Sequence, residues 1–93
     1  MEQVRALLKI SGRVQGVCFR LHAVEEASKR NVTGWIRNLP TGQVEALIEG
    51  DKKAVEEMVR WCHKGPSAAH VAVVEVSWET YHGDFTDFRA VVS

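Results

Sequence analysis

This sequence has little that would staple it, span a membrane or attract a polyanion. Its two cysteines, Cys18 and Cys62, are too few for a disulfide scaffold, so two reduced thiols in a cytoplasmic protein are expected. No apolar run approaches the roughly 20 residues that cross a bilayer. The opening stretch is broken by Glu2, Arg5 and Lys9 and is a poor secretory leader, so no membrane partner is expected. Charge of one sign is missing too. Twelve basic and twelve acidic residues cancel, which removes the usual electrostatic reason for a nucleic-acid partner. The histidines, His22, His63, His70 and His82, are scattered without metal-site spacing, so no metal is expected. Internal repeats, low-complexity segments and linkers are absent as well.

What remains reads as an ordinary globular chain, with 45% hydrophobic and 26% charged residues. Ninety-three residues make one domain, 1–93, because two cores of half that size would each be too small to hold together. A monomer is the simplest expectation.

Patterning gives the elements. Ala6, Leu8 and Ile10 alternate with Arg5 and Lys9, so residues 4–10 form a half-buried strand. Gly12 and Gly16 break the alternation, and Ser11–Val17 reads as a loop. From Phe19 to Arg30 the period becomes helical, with Phe19, Ala23 and Ala27 on one stripe. Residues 32–38 and 43–49 read as strands joined by the turn Leu39-Pro40-Thr41-Gly42, a β-hairpin. Asp51 is placed to cap a second helix, whose Val55, Met58, Val59 and Cys62 follow i, i+3, i+4, i+7 spacing. Gly65-Pro66 stops it. Residues 71–78 form a long strand and 88–92 a short last one.

The order β-α-β-β-α-β plus a short strand predicts an α+β, ferredoxin-like split βαβ sandwich: an antiparallel sheet with two helices on one face. Right-handed crossovers predict the order 4-1-3-2 for the first four strands and leave the fifth unplaced. That fold hosts many functions, so function must come from a site.

The informative segment is Gly12-Arg13-Val14-Gln15-Gly16-Val17-Cys18-Phe19-Arg20, between a strand and a helix start. A helix N-terminus has unpaired N–H groups and a partial positive charge, and a glycine-bearing loop before it can turn more N–H groups into a concave anion nest. Arg20 in the first helical turn opposes the helix dipole, a penalty that a bound anion would reverse. On the residues alone, two readings stand: a phosphate cradle, or a tight turn with a solvated arginine. The loop is neither a Walker A sequence nor Gly-x-Gly-x-x-Gly.

At these residues the chain resembles the acylphosphatase family. Ile10-x-Gly12-x-Val14-Gln15-Gly16-Val17-x-Phe19-Arg20 looks like that family's first signature. Gly34-Trp35-Ile36-Arg37-Asn38, then Gly42-x-Val44 and Gly50, looks like the second, with Ile36 where a smaller residue is expected. Weaker agreement runs through Gly65-Pro66 and Asp87-Phe88-Arg89.

The resemblance implies a hydrolase for acyl phosphates that uses neither a metal, a cofactor nor a covalent phosphoenzyme. The backbone amides of Gln15, Gly16, Val17, Cys18 and Phe19, with the Arg20 side chain, would cradle the phosphate of a small-molecule substrate. The Asn38 amide would position the attacking water.

Four further readings can be weighed. A nucleophilic Cys18 would suggest tyrosine-phosphatase chemistry, but the Cys-x5-Arg spacing is absent, and Cys18 reads as a small filler. A non-catalytic anion-binding module would have less need of Asn38. A carbamoyl-phosphate-handling module would be expected inside a larger protein. Trp35, Trp61 and Trp78 read as packing residues, because an RNA-binding sheet would also carry basic strands.

Overall fold

The computed structural model describes residues 2–92. Seven elements follow in order: β1 (Gln3–Arg13), α1 (Phe19–Arg30), β2 (Thr33–Asn38), β3 (Val44–Asp51), α2 (Lys52–Lys64), β4 (His70–Glu79) and β5 (Phe88–Ala90). The sheet order is β4-β1-β3-β2-β5. The first four strands pair antiparallel in the expected order, and β5 lies parallel to β2 at the far edge. The sheet is therefore mixed rather than antiparallel throughout, a correction that comes from β5 alone.

Alternation decides what the sheet buries. Ala6, Leu8 and Ile10 of β1, Ile36 of β2, and Val44, Ala46 and Ile48 of β3 are all fully buried on one face. Against them pack Phe19, Ala23 and Ala27 of α1 and Val55, Met58, Val59 and Cys62 of α2. Each large side chain in this layer contributes about 1.5–3 kcal/mol by leaving water. The helices thus cover one face, and the apolar stripes read from the sequence are the ones that meet.

The opposite face is crossed by the segment joining β4 to β5, which lie at opposite edges. Glu49, wholly buried, accepts the backbone N–H groups of His82 at 2.9 Å and Gly83 at 3.1 Å, and Arg5 lies 3.6 Å from the same carboxylate. This buried acid ties the crossing segment to the sheet and so fixes where β5 arrives.

Two boundaries and one packing expectation show where the fold departs most from the pattern-based reading. β1 continues through Ser11, Gly12 and Arg13, which pair with β4 across an irregularity at Ser11/Gly12. A Cβ on Gly12 would run into the backbone oxygen of His70, so only glycine lets the two strands stay this close. β3 runs through Gly50 to Asp51, which pairs with Gln3, and no side chain caps α2. Trp78 is 52% exposed rather than packed, whereas Trp61 meets Phe19 edge to face at 5.4 Å.

Candidate active site

β1 and β2 both run antiparallel to β3, so they are parallel to each other and their carboxyl ends share one edge of the sheet. The loop after β1 and the end of β2 therefore meet there. Residues 14–18 link β1 to α1, a loop shorter than the sequence suggested because β1 runs on to Arg13.

The loop is pinned by alternate side chains. Val14 (1% exposed), Val17 (7%) and Phe19 (2%) are buried, while Gly16 and Cys18 face out. The backbone turns left-handed at Gly16 (φ 74°) and again at Cys18 (φ 61°). Gly16 adopts this without strain, whereas a side chain there disfavours it. Left-handed residues spaced this way curl successive N–H groups toward one side, as anion nests do. No side chain caps the start of α1 and no acidic residue stands in its first turn, so its positive end is unmasked.

Arg20 is half-buried at this positive end. Its Nη1 donates to the carbonyl oxygen of Val91 at 3.5 Å, the long limit of a hydrogen bond. No carboxylate side chain of the described residues forms an ion pair with it. Asn38 is the last residue of β2, half-buried and paired with Val44. An open cleft of about 580 Å³ is lined by Gln15, Gly16, Cys18, Phe19, Arg20 and Asn38 together, with Ala90 and Val92 as part of its wall. Five of the six loop residues expected at a phosphate, and the asparagine expected at water, thus share one cleft; Val17 is turned into the core.

The loop side chains have other duties. Gln15 reaches across to the turn after Asn38, where its Nε2 donates to the carbonyls of Leu39 and Gln43, each at 2.9 Å. Phe19 anchors the helix start against Trp61. His22 Nδ1 lies 2.9 Å from the Cys18 carbonyl, a contact that needs a proton on Nδ1. Cys62 is fully buried, and burial pushes its thiol up to about 12. Among the described residues no three histidine, cysteine, aspartate or glutamate side chains cluster as metal ligands.

Three contributors escaped the sequence reading: the Val91 carbonyl, the Gln15 side chain and Glu49. The first is backbone. The second was counted only for its amide. The third looks like any solvent-side acid of an alternating strand, and no local signal marks it.

The sequence model of the acylphosphatase family matches residues 6–90. The chain is 53% identical over 88 residues to a protein named acylphosphatase from Anaeromyxobacter dehalogenans, covering 95% of each. The crystal structure of acylphosphatase from Bacillus subtilis superposes with a TM-score of 0.91 at 32% identity, covering 95% of this chain and 98% of that one. Full-length HypF, solved in a phosphate- and nucleotide-bound form, matches with a TM-score of 0.86 at 27% identity, covering 97% of this chain but 12% of that one. No helix among the described residues is long and apolar enough to cross a membrane.

Proposed function

The chain belongs to the acylphosphatase family and is an enzyme of acyl phosphate hydrolysis, and on that premise we propose which residues do the work. The 15–20 loop amides and Arg20 hold the phosphate, and Asn38 positions the water. The observation that carries this reading is the single cleft lined by the loop, Arg20 and Asn38.

The chemistry asks for no more. The substrate is a carboxyl-phosphate anhydride, whose leaving group is a carboxylate with a conjugate acid of pKa about 4. It departs without a general acid. Water attacks phosphorus in line, the bond from phosphorus to the acyl oxygen breaks, and its electron pair leaves with the carboxylate. The products are the carboxylate and dihydrogen phosphate, so charge and atoms balance.

A loose phosphoryl-transfer transition state spreads charge over three equatorial oxygens. Preorganised N–H donors and a guanidinium stabilise that charge without reorganising during the reaction. Arg20 supplies two parallel donors, and its long bond to Val91 is weak enough to give way to charge-assisted bonds of about 2.8 Å. Asparagine cannot accept a proton at neutral pH, so the Asn38 amide orients the water and the phosphate takes the proton. Orientation alone is worth several kcal/mol when the attacking atom is held within about 3–3.5 Å.

Competition by inorganic phosphate tests the cradle. Wild type should be inhibited competitively, and Arg20→Ala much less so. Equal inhibition of both would remove Arg20 from the phosphate site.

A further inference from the structure

We propose that the Gln15 side chain is a positioning residue that sets Asn38 relative to the phosphate loop. The proposal rests on the reading of Asn38 as the water-orienting amide. Gln15 belongs by its backbone to the loop, between the buried Val14 and Val17. Its side chain bridges to the β2–β3 turn. Both hydrogens of Nε2 are used there, on Leu39 O and Gln43 O at 2.9 Å each. Two carbonyl oxygens can be met only by the NH2 end of the amide, so the orientation of the side chain is fixed by chemistry.

The two carbonyls are the ones that close the turn. Leu39 N–H donates to Gln43 O at 2.8 Å, and Gly42 N–H donates to Leu39 O at 3.1 Å. Leu39 is covalently next to Asn38. A second strut runs alongside, where Gln43 Nε2 donates to Ser11 Oγ of β1 at 2.9 Å and Thr41 Oγ1 donates to Gln43 Oε1 at 2.9 Å. The phosphate loop follows β1 and the asparagine ends β2, with β3 between those strands in the sheet. Gln15 joins the loop to the turn that begins next to Asn38, so one residue gives its backbone amide to the phosphate half and its side chain to the support of the water half. Displacement of the water-holding group by about 1 Å is enough to cost about 100-fold in rate.

The test substitutes Gln15→Leu, which keeps the backbone amide and the side-chain bulk. Both carbonyls keep their turn N–H donors, so the variant should fold, and a melting curve checks this. With benzoyl phosphate as substrate, kcat should fall about 10- to 100-fold, while the inhibition constant of inorganic phosphate stays within about threefold of wild type. Gln15→Glu should lose as much, because a carboxylate cannot donate to two carbonyls.

In an Asn38→Ala background, Gln15→Leu should cost almost nothing further, since its effect runs through Asn38. Unchanged kcat in a folded Gln15→Leu, equal losses of kcat and phosphate affinity, or a full additional loss in the Asn38→Ala background would each overturn the proposal. Wild-type turnover by Asn38→Ala alone would sink the reading of Asn38 itself, a separate outcome.

Discussion

Arg20, in the first turn of α1, donates to the carbonyl oxygen of Val91, 71 residues further along the chain. The Arg20 guanidinium thus reaches the segment after β5, and that segment is held in turn. Val91 N–H donates to Ile36 O, and Gly34 N–H donates to Asp87 O, both at 2.9 Å.

Substitution of Arg20 should therefore weaken phosphate binding more than it weakens the fold. Hydrogen bonds to charged groups contribute about 1.5–3 kcal/mol each. Arg20→Ala should raise the inhibition constant of phosphate at least tenfold. Arg20→Lys should recover only part of that, because an ammonium is a point charge without the bidentate fork. Competitive inhibition assays measure both. Full recovery by lysine would mean that charge alone matters.

Glu49 offers a stability prediction remote from the chemistry. Glu49→Leu would leave the backbone N–H groups of His82 and Gly83 without their acceptor, and Arg5 with Glu79 as its remaining carboxylate partner. Leaving a buried N–H donor without an acceptor costs about 1–3 kcal/mol. Urea unfolding should show a loss of that order, and a change below about 1 kcal/mol would mean that the segment is held by other contacts.

The two thiols should behave oppositely. Cys18 is exposed at the rim of the cleft and Cys62 is buried. Iodoacetamide at pH 8 should modify Cys18 and spare Cys62 in the folded protein, as peptide mass mapping would show. Activity should fall with the adduct because of its bulk, and Cys18→Ala should stay active. An inactive, folded Cys18→Ala would give the thiol a chemical role.

Cys62 also sets a pH dependence. Its thiol rises from 9.0 to about 12 on burial, so the folded state favours the protonated form. That contribution is fully present below pH 9 and is lost as pH rises from about 9 toward about 12, where the unfolded chain releases a proton that the folded one keeps. The slope is at most about 1.4 kcal/mol per pH unit. Denaturation midpoints between pH 8 and 10.5 should decline less steeply in Cys62→Ala than in wild type, after allowing for its lower starting stability.

Much of this was legible in the chain. Ala6, Leu8 and Ile10 state a period of two, and Val55, Met58, Val59 and Cys62 a period near 3.6, because each pattern follows from one backbone geometry. The cleft residues were legible through two motifs, one at Gln15–Arg20 and one ending at Asn38.

What stayed hidden depends on distant partners. Ser11–Arg13 look like a loop until β4 lies beside them. Asp51 looks like a cap until Gln3 pairs with it. The three residues of β5 carry no instruction to run parallel to β2, and the Glu49 tether that steers them is made across 33 and 34 positions in the chain. The Gln15 side chain has the same history, since its acceptors are backbone carbonyls 24 and 28 positions away.

The most direct test is the hydrolysis of benzoyl phosphate by wild type and Asn38→Ala, with EDTA present throughout. Rapid turnover by wild type, a loss of about 100-fold or more in Asn38→Ala, and unchanged inhibition by phosphate would bear out water positioning by Asn38 on a phosphate held independently. Comparable turnover by the two proteins would contradict it.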